Sequence, residues 1–394
     1  MSTQGDIQDD ILIIGGGPVG ATLALALAGS GLSVTVLEAR TKGDIPDDER
    51  ALALSYGSRL ILQRLGVWQQ LDVRATAITT IHVSQKERWG RAMIEARESG
   101  QPALGYVLPY SVLSSVLAQA MDAAPGIEVL HGAQVSGVAT TQTHGSAQFD
   151  LAGQPASRAA ALLALADGGR LLESIAGMQR HIRDYGQSAV IAHVESELAH
   201  GHVAYERFTP DGPVALLPDG ERGFALVWTA APERAQTLCG LPAPEFLEQL
   251  GRHFGERVGR FTAVAGRAVF PLKLSRTSPL TSQRLVAIGN AAQTLHPVAG
   301  QGFNLGLRDA WTLAQLARNT PRERIGEQAM LAQYSRLRRA DRAGGIGFTD
   351  FLATAFATDF PGLASIRGLG IGALDLMAPA KSFLSRKMSF GARG

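Results

Sequence analysis

The hydrophobic pattern repeats one theme three times along the chain. Ile11-Leu-Ile-Ile14 is a short unbroken aliphatic run that ends in Gly15-Gly-Gly17. Such a run, without polar alternation, predicts a strand buried on both faces, as in a parallel sheet. Ala21 to Ala28 changes to an Ala- and Leu-rich helical pattern, with Pro18 suited to the first helical position and Gly29 and Gly31 closing the helix. Leu32 to Leu37 predicts a second strand, with Glu38 at its end. Ala161 to Ala166 predicts another buried strand, closed by Asp167-Gly168-Gly169. Arg284 to Ile288 predicts one more, ending in Gly289-Asn290. A loop with His296-Pro297 and Gly300-Gln301-Gly302 then leads into a helix reaching about Arg318.

Elsewhere the pattern differs. Ser188 to Val194, His202 to Phe208, Val214 to Leu217 and Phe224 to Thr229 are strand-like and separated by turn sequences at Thr209 to Gly212 and Pro218 to Gly220. They predict a mixed or antiparallel meander that forms a wall. Helices are predicted from Tyr110 to Met121 and around Leu60, Leu62 and Leu65, with Arg50 to Ser55 as the link before the latter. The last part, about residues 328–394, reads as helical and is apolar on several faces between Phe348 and Phe390. Packing on the body of the protein is one reading of that tail; a surface for membrane or a partner protein is the other.

Composition narrows the field. The chain has 394 residues, enough for roughly two to three domains. Glycine, at 45 residues, is in excess, yet no Gly-X-Y period or low-complexity tract accompanies it. A net charge of +2 provides no field for nucleic acid. The single cysteine, Cys239, excludes an internal disulfide and a cysteine-rich metal centre. No basic segment precedes an apolar core at the start, so a cytoplasmic protein is expected. Ile11 to Leu37 carries no charged side chain and is long enough to span a bilayer, but its six glycines make a poor membrane helix.

The spacing supplies another meaning for that segment. Gly15, Gly17 and Gly20 stand in the G-x-G-x-x-G frame between a strand and a helix. The first glycine makes the tight turn, the second lets backbone approach a pyrophosphate, and the third lets helix and strand pack closely. The helix start offers free N–H groups to phosphates, and Glu38 is placed to accept ribose hydroxyls while repelling a 2′-phosphate. The glycine-lined start of the helix after Gly302 can present N–H groups to the electron-rich edge of a flavin. His200 and His202 lack the further ligands of a metal site. No G-x-S-x-G, H-E-x-x-H or Walker A sequence occurs.

These residues resemble a known family. Gly15-x-Gly17-x-x-Gly20 with Glu38, Ala166-Asp167-Gly168, and Gly289-Asn290 followed by Pro297 are similar to the three FAD motifs of the single-component aromatic hydroxylases. The string from Gly289 to Asp309 resembles the ubiquinone-biosynthesis hydroxylases, most of all the 2-polyprenyl-6-methoxyphenol hydroxylase branch. Tyr205 to Thr209 and Gly212 to Pro218 resemble the substrate domain of that branch, and the tail from Asp341 to Ala378 is similar too. The resemblance implies an α/β fold like that of p-hydroxybenzoate hydroxylase. A discontinuous Rossmann-like FAD domain (about 1–75, 101–172 and 271–327) would be interleaved with a β-sheet substrate domain (76–100 and 173–270) and followed by a helical region (328–394).

The resemblance implies FAD contacts at Gly15, Gly17, Gly20, Glu38, Arg50, Val135, Asp167, Gly168, Gly289, Asn290, Pro297, Gly300, Gln301, Gly302 and Asn304. It gives His296 and the Pro297 backbone a place beside the reacting ring. NADH or NADPH is implied as reductant and O2 as co-substrate, with oxygen passed from a flavin C4a-hydroperoxide to the ring of a polyprenylated phenol. Other ubiquinone-biosynthesis proteins and the inner-membrane surface are implied partners. This chain departs from the pattern at Asn290, where the family has Asp, at Gly169-Arg170, where an Arg-Ser tail is usual, and at Ser114 or Ser115, where a flavin-side Gln or Arg is usual. Two alternatives follow: a catabolic phenol hydroxylase acting on a small soluble aromatic, or a non-catalytic FAD-binding subunit of a quinone-synthesis complex.

Overall fold

The computed structural model describes residues 7–44, 46, 48–86, 90–295, 301–357, 375 and 377–391. The chain opens with β1 (Asp9–Ile14), α1 (Pro18–Leu27) and β2 (Val34–Glu38), so the charge-free segment is a strand–turn–helix–strand unit. Next come β3 (Ala51–Ser55), α2 (Tyr56–Arg64), α3 (Trp68–Asp72), β4 (Thr76–Ile78), β5 (Thr80–Gln85), β6 (Arg91–Glu95), β7 (Gly105–Pro109) and α4 (Tyr110–Asp122). A run of strands follows: β8 (Ile127–His131), β9 (Gln134–Thr140), β10 (Gly145–Leu151), β11 (Gln154–Leu165), β12 (Gln179–Ser196), β13 (Val203–Phe208), β14 (Val214–Asp219) and β15 (Gly223–Ala230). The rest comprises α5 (Pro232–Gly240), α6 (Ala243–Phe254), β16 (Phe261–Ser278), β17 (Thr281–Ser282), β18 (Leu285–Ala287), β19 (Gln293–Thr294), α7 (Gln301–Arg318), α8 (Gln328–Ala357) and α9 (Ala378–Phe390).

Two large sheets organise these elements. The first has the order β17-β18-β11-β1-β2-β8, and β18, β11, β1, β2 and β8 all run parallel. Every residue of β1 is buried, as its unbroken aliphatic pattern requires of a strand with helices on both faces. The second sheet has the order β19-β16-β12-β15-β14-β13-β5-β6 and is antiparallel except between β13 and β5. A three-stranded sheet, β3-β7-β4, lies between them. Arg50 to Ser55 is therefore not a plain link: Ala51–Ser55 is a strand paired with β7.

The second sheet has two unlike faces. Along β13 to β15 one set of alternating residues, including Leu216, Leu226 and Trp228, packs against Phe246, Leu250 and Phe254 of α6. The other set, including Ala204 and Leu217, turns toward Ile78 and Val107 of the three-stranded sheet. The period of two along each strand sends neighbouring residues to opposite faces.

The described C-terminal part is tied down. Ser55 donates from Oγ to the carbonyl of Ser389 at 3.1 Å, and Lys381 donates to Glu98 at 2.7 Å. A side chain at Gly57 would stand 2.2 Å from that same Ser389 carbonyl, so α9 lies directly on α2. Phe383 and Met377 nonetheless remain exposed. No described helix is long and apolar enough to cross a membrane.

Candidate functional site

Parallel pairing brings the glycine-rich turns together. β18, β11, β1 and β2 are consecutive neighbours running the same way, so their carboxyl ends share one edge. That edge carries Gly289-Asn290, Asp167-Gly168, Gly15 to Gly17, and Glu38, in that order. Backbone bonds set the alignment: Ala166 donates to Ile14 at 2.8 Å, Ile288 to Leu165 at 3.0 Å and Gly15 to Leu37 at 2.9 Å. The carboxyl edge of an open α/β sheet is where such folds bind ligands.

Each glycine of the first turn has a measurable role. Gly15 has φ +102°, and a Cβ there would stand 2.6 Å from the carbonyl oxygen of Ala166. A Cβ on Gly20 would stand 1.9 Å from the Gly15 carbonyl, so helix α1 can approach β1 only without a side chain. Gly17, the N-cap of α1, is the opposite case: a Cβ there meets nothing within 4 Å. The open space lies where backbone N–H groups and the helix dipole favour an anion. This is the cradle that a dinucleotide pyrophosphate requires.

Glu38 is buried and already held in shape. Its Oε2 accepts the Gly16 N–H at 2.7 Å, and its Oε1 accepts both the backbone N–H and Nε of Arg40, at 2.9 and 2.7 Å. Burial works to raise the Glu38 pKa, but the Arg40 hydrogen bonds and charge outweigh it and hold the carboxyl below its usual range. A cavity of about 220 Å³ opens beside this pair, lined also by Thr41, Lys42, Ser114, Ser115 and Asp122. Ser114, which with Ser115 is one of the two serines expected at the family's flavin-side Gln or Arg, receives a long 3.5 Å contact from Arg40. Val135 is half-buried on β9, just past Ala133, whose N–H donates to the Glu38 carbonyl at 2.9 Å.

The other two turns are each shaped by a carboxylate, Asp167 half-buried and Asp309 fully buried. Asp167 accepts the N–H groups of Gly169 and Leu171 at 2.9 and 2.8 Å, which folds its own turn and leaves the backbone of Gly168, at φ +76°, on the edge. Gly289 has φ +59° and donates its N–H to Asp309 at 3.2 Å. Asn290 is exposed beside it. Gln301 and Gly302 open α7, and Asn304, one turn in, accepts from Ser55 N–H and Ser58 Oγ and donates to the Ala53 carbonyl. Asn304 thereby fastens α7 to β3. His296, Pro297 and Gly300 lie outside the described residues.

A cleft runs between the uncovered face of the second sheet and the three-stranded sheet. Arg50 stands at one side, paired with Asp48 at 2.5 Å and with its guanidinium 5.1 Å from the ring centre of Phe270 on β16. A smaller cavity of about 60 Å³ lies further along, lined by Ala53, Ser55, Ile78, Ile81, Gln301 and Met388 among others. It places the start of α7 and the apolar strands on one shared space.

Two features of the site escaped the sequence reading. Arg40 follows Glu38 by two residues, a spacing that brings both side chains to one face of the chain beyond β2. Asp309 is fully buried mid-helix, a position where a lone carboxylate needs a partner. It has three: Gly289, Gln293 and Arg338. His200 and His202 instead serve the backbone, touching the carbonyls of Gly220 and Ala77. No group of His, Cys, Asp and Glu that could hold a metal occurs among the described residues.

Comparison with known proteins agrees with this geometry. Residues 8–344 match the family model described as FAD binding domain. The chain is 34% identical to ubiquinone hydroxylase UbiL of Rhodospirillum rubrum, over 96% of this chain and 88% of that protein. It is 32% identical to 3-demethoxyubiquinol 3-hydroxylase of Escherichia coli, over 93% of this chain and 94% of that protein. Among solved structures, p-nitrophenol 4-monooxygenase of Pseudomonas putida superposes with a TM-score of 0.77 over 98% of this chain and 99% of the other, at 18% identity.

Proposed function

Since this chain belongs to the FAD binding domain family and is an FAD-dependent aromatic hydroxylase, we propose that it hydroxylates the ring of an isoprenoid-bearing phenol on the route to ubiquinone. The observation that carries the finer reading is the end-to-end similarity to two ubiquinone hydroxylases, 34% and 32% identical. The apolar cleft beside the start of α7 supports it, because an isoprenoid substrate needs apolar walls. NADH or NADPH serves as reductant. The FAD-binding pieces are about residues 1–75, 101–172 and 271–327; the substrate sheet is 76–100 with 173–270; 328–394 forms the C-terminal region.

When bound, FAD would supply the redox chemistry between the nicotinamide and O2 that no side chain can. The chain's own residues do the rest. The N–H groups of Gly17, Val19 and Gly20 at the start of α1 hold the pyrophosphate, and Glu38, oriented by Arg40, accepts ribose hydroxyls. Gly168, Gly289, Asn290, Gln301 and Gly302 present backbone and amide groups along the shared edge, and Arg50 and Val135 border it. The first turn of α7 aims its dipole at the space it shares with the apolar strands and stabilises negative charge there. The second sheet and the three-stranded sheet hold the ring in place and keep water out. His296 and Pro297, which precede α7 in the sequence, are by resemblance assigned a place beside the reacting ring.

Isotope labelling tests the reading. The FAD-loaded protein is given NADH or NADPH, ¹⁸O2 and a 2-methoxyphenol with a short isoprenoid chain. The expected product carries one ¹⁸O on the ring. Phenol-stimulated nicotinamide oxidation that yields only hydrogen peroxide, across isoprenoid and small soluble phenols alike, would refute it.

A further inference from the structure

Strand register identifies one row of residues on the cleft side of the second sheet. Val83 on β5 pairs with Ala92 on β6 and with Glu206 on β13; Glu206 pairs with Ala215 on β14, and Ala215 with Val227 on β15. Val227 pairs with Ile191 on β12, and Ile191 with Ala268 on β16. Paired residues share a face, so these seven side chains form one row across six strand pairings. The row lies one step from Ala204 and Leu217, which pack against the three-stranded sheet, so it faces the cleft and not α6. Six of its members are aliphatic and most are half-buried, as expected of a wall with room above it. The seventh is a carboxylic acid.

We propose that Glu206 is a catalytic residue that receives the hydroxyl proton of the phenol bound in this cleft. The role rests on the reading above, that the substrate is a phenol. The transfer is balanced within the pair: the phenol O–H bond breaks, the proton moves to a Glu206 oxygen, and phenolate and carboxylic acid result. Phenolate is electron-rich at its ring carbons, which is the state an oxygen-accepting ring needs.

The environment suits the role. Desolvation raises the Glu206 carboxyl to about 7, because no opposite charge offsets its burial. The flanking strands present Val83 and Ala215 to it, and no other titratable group stands in the row. Among the described residues, the titratable groups that share this face include His193, held by Asp219, and Glu195, two residues further along β12; across the cleft stands Arg50, held by Asp48. Arg207 and His82 belong to the opposite face. A base whose proton affinity lies near neutrality is efficient at neutral pH.

The test uses FAD-loaded wild-type protein, Glu206→Gln and Glu206→Asp. Two ligands are compared by calorimetry on the oxidised protein: a short-chain isoprenoid 2-methoxyphenol and its O-methyl ether. Wild type should bind the phenol at least tenfold more tightly than the ether, and Glu206→Gln should lose that preference with FAD content unchanged. In turnover, kcat/KM of wild type should fall as pH drops below about 7. The Gln variant should be at least tenfold slower with that acid limb gone, and should recover on a fluorinated phenol already ionised at the assay pH. Glu206→Asp should retain part of the preference. A Gln variant that keeps the binding preference and the acid limb overturns the role. Wild type that binds neither ligand overturns the substrate reading, and this role with it.

Discussion

Asp309 and Arg338 form a buried ion pair, Nε to Oδ1 at 2.6 Å, that joins α7 to α8. The other oxygen of Asp309 accepts the N–H of Gly289 and the side chain of Gln293. The third FAD turn is therefore held by Asp309 of α7, and Asp309 is in turn fixed by Arg338 of α8, a helix that carries no FAD motif. Arg338 also reaches Asp341 at 2.8 Å, and Arg342 bonds Gln293 at 2.6 Å, so the pair belongs to a network. Removing one partner of a buried pair strands the other charge and costs about 3–5 kcal/mol. Arg338→Leu should lower unfolding free energy by an amount of that order and release FAD. Urea unfolding and the FAD-to-protein absorbance ratio measure the two effects.

Gly17 and Gly20 should separate fold from cofactor. At Gly20 a Cβ would collide with the Gly15 carbonyl at 1.9 Å, so Gly20→Ala should cost roughly 3 kcal/mol or more of stability. At Gly17 the space is open and φ is −62°, so Gly17→Ala should fold with little change. Its methyl group would occupy the pyrophosphate's approach, so FAD content should drop at least tenfold. Thermal melting together with bound-flavin absorbance distinguishes the two outcomes.

Glu38 sets a pH limit on cofactor binding. Burial opposes its charge, and Arg40 more than compensates, so its folded pKa lies below the ordinary 4.5. A depressed carboxylate contributes stability above its unfolded pKa and loses it as pH falls through the folded value. Arg40→Gln removes the compensating partner, so FAD release on acidification should begin at a higher pH than in wild type. Flavin fluorescence against pH follows the release.

His253 governs a different window. Thr209 spends its single hydroxyl proton on the Gly212 carbonyl at 2.7 Å, so His253 Nε2, 2.8 Å away, must donate. Desolvation first, and the charge of Lys86 second, lower its pKa from 6.5 to about 4. The unfolded chain takes up a proton in that interval while the folded one does not, so stability falls as pH drops from 6.5 to about 4. The loss is at most about 3 kcal/mol. His253→Gln should flatten this part of the stability profile, read by urea unfolding at several pH values.

The legible parts of the fold were those where local chemistry and tertiary role coincide. Gly15, Gly17 and Gly20 are dictated by clashes and open space within a few residues, so their spacing carries their meaning. The aliphatic runs of β1 and β11 are buried on both faces and read directly as strands. The first half of β12, from Gln179 to Gly186, is mostly exposed and polar, so only its Ser188 to Val194 half was visible. β3 is a five-residue strand whose partner, β7, lies some fifty residues on, and no local pattern announces that pairing. α6 was legible in principle: Phe246, Leu250 and Phe254 recur every four residues on the face that meets Trp228. The Asp309–Arg338 pair was not, because its partners are brought together only by packing of two helices.

Complementation tests the central claim most directly. In bacterial strains that each lack one ring hydroxylase of ubiquinone synthesis, the chain is expressed and the quinone pool is measured by mass spectrometry. The account predicts that at least one strain regains ubiquinone and loses its accumulated under-hydroxylated precursor, and that Gly17→Ala fails in that same strain. Precursor levels unchanged in every strain, with the FAD-loaded protein present, would contradict it.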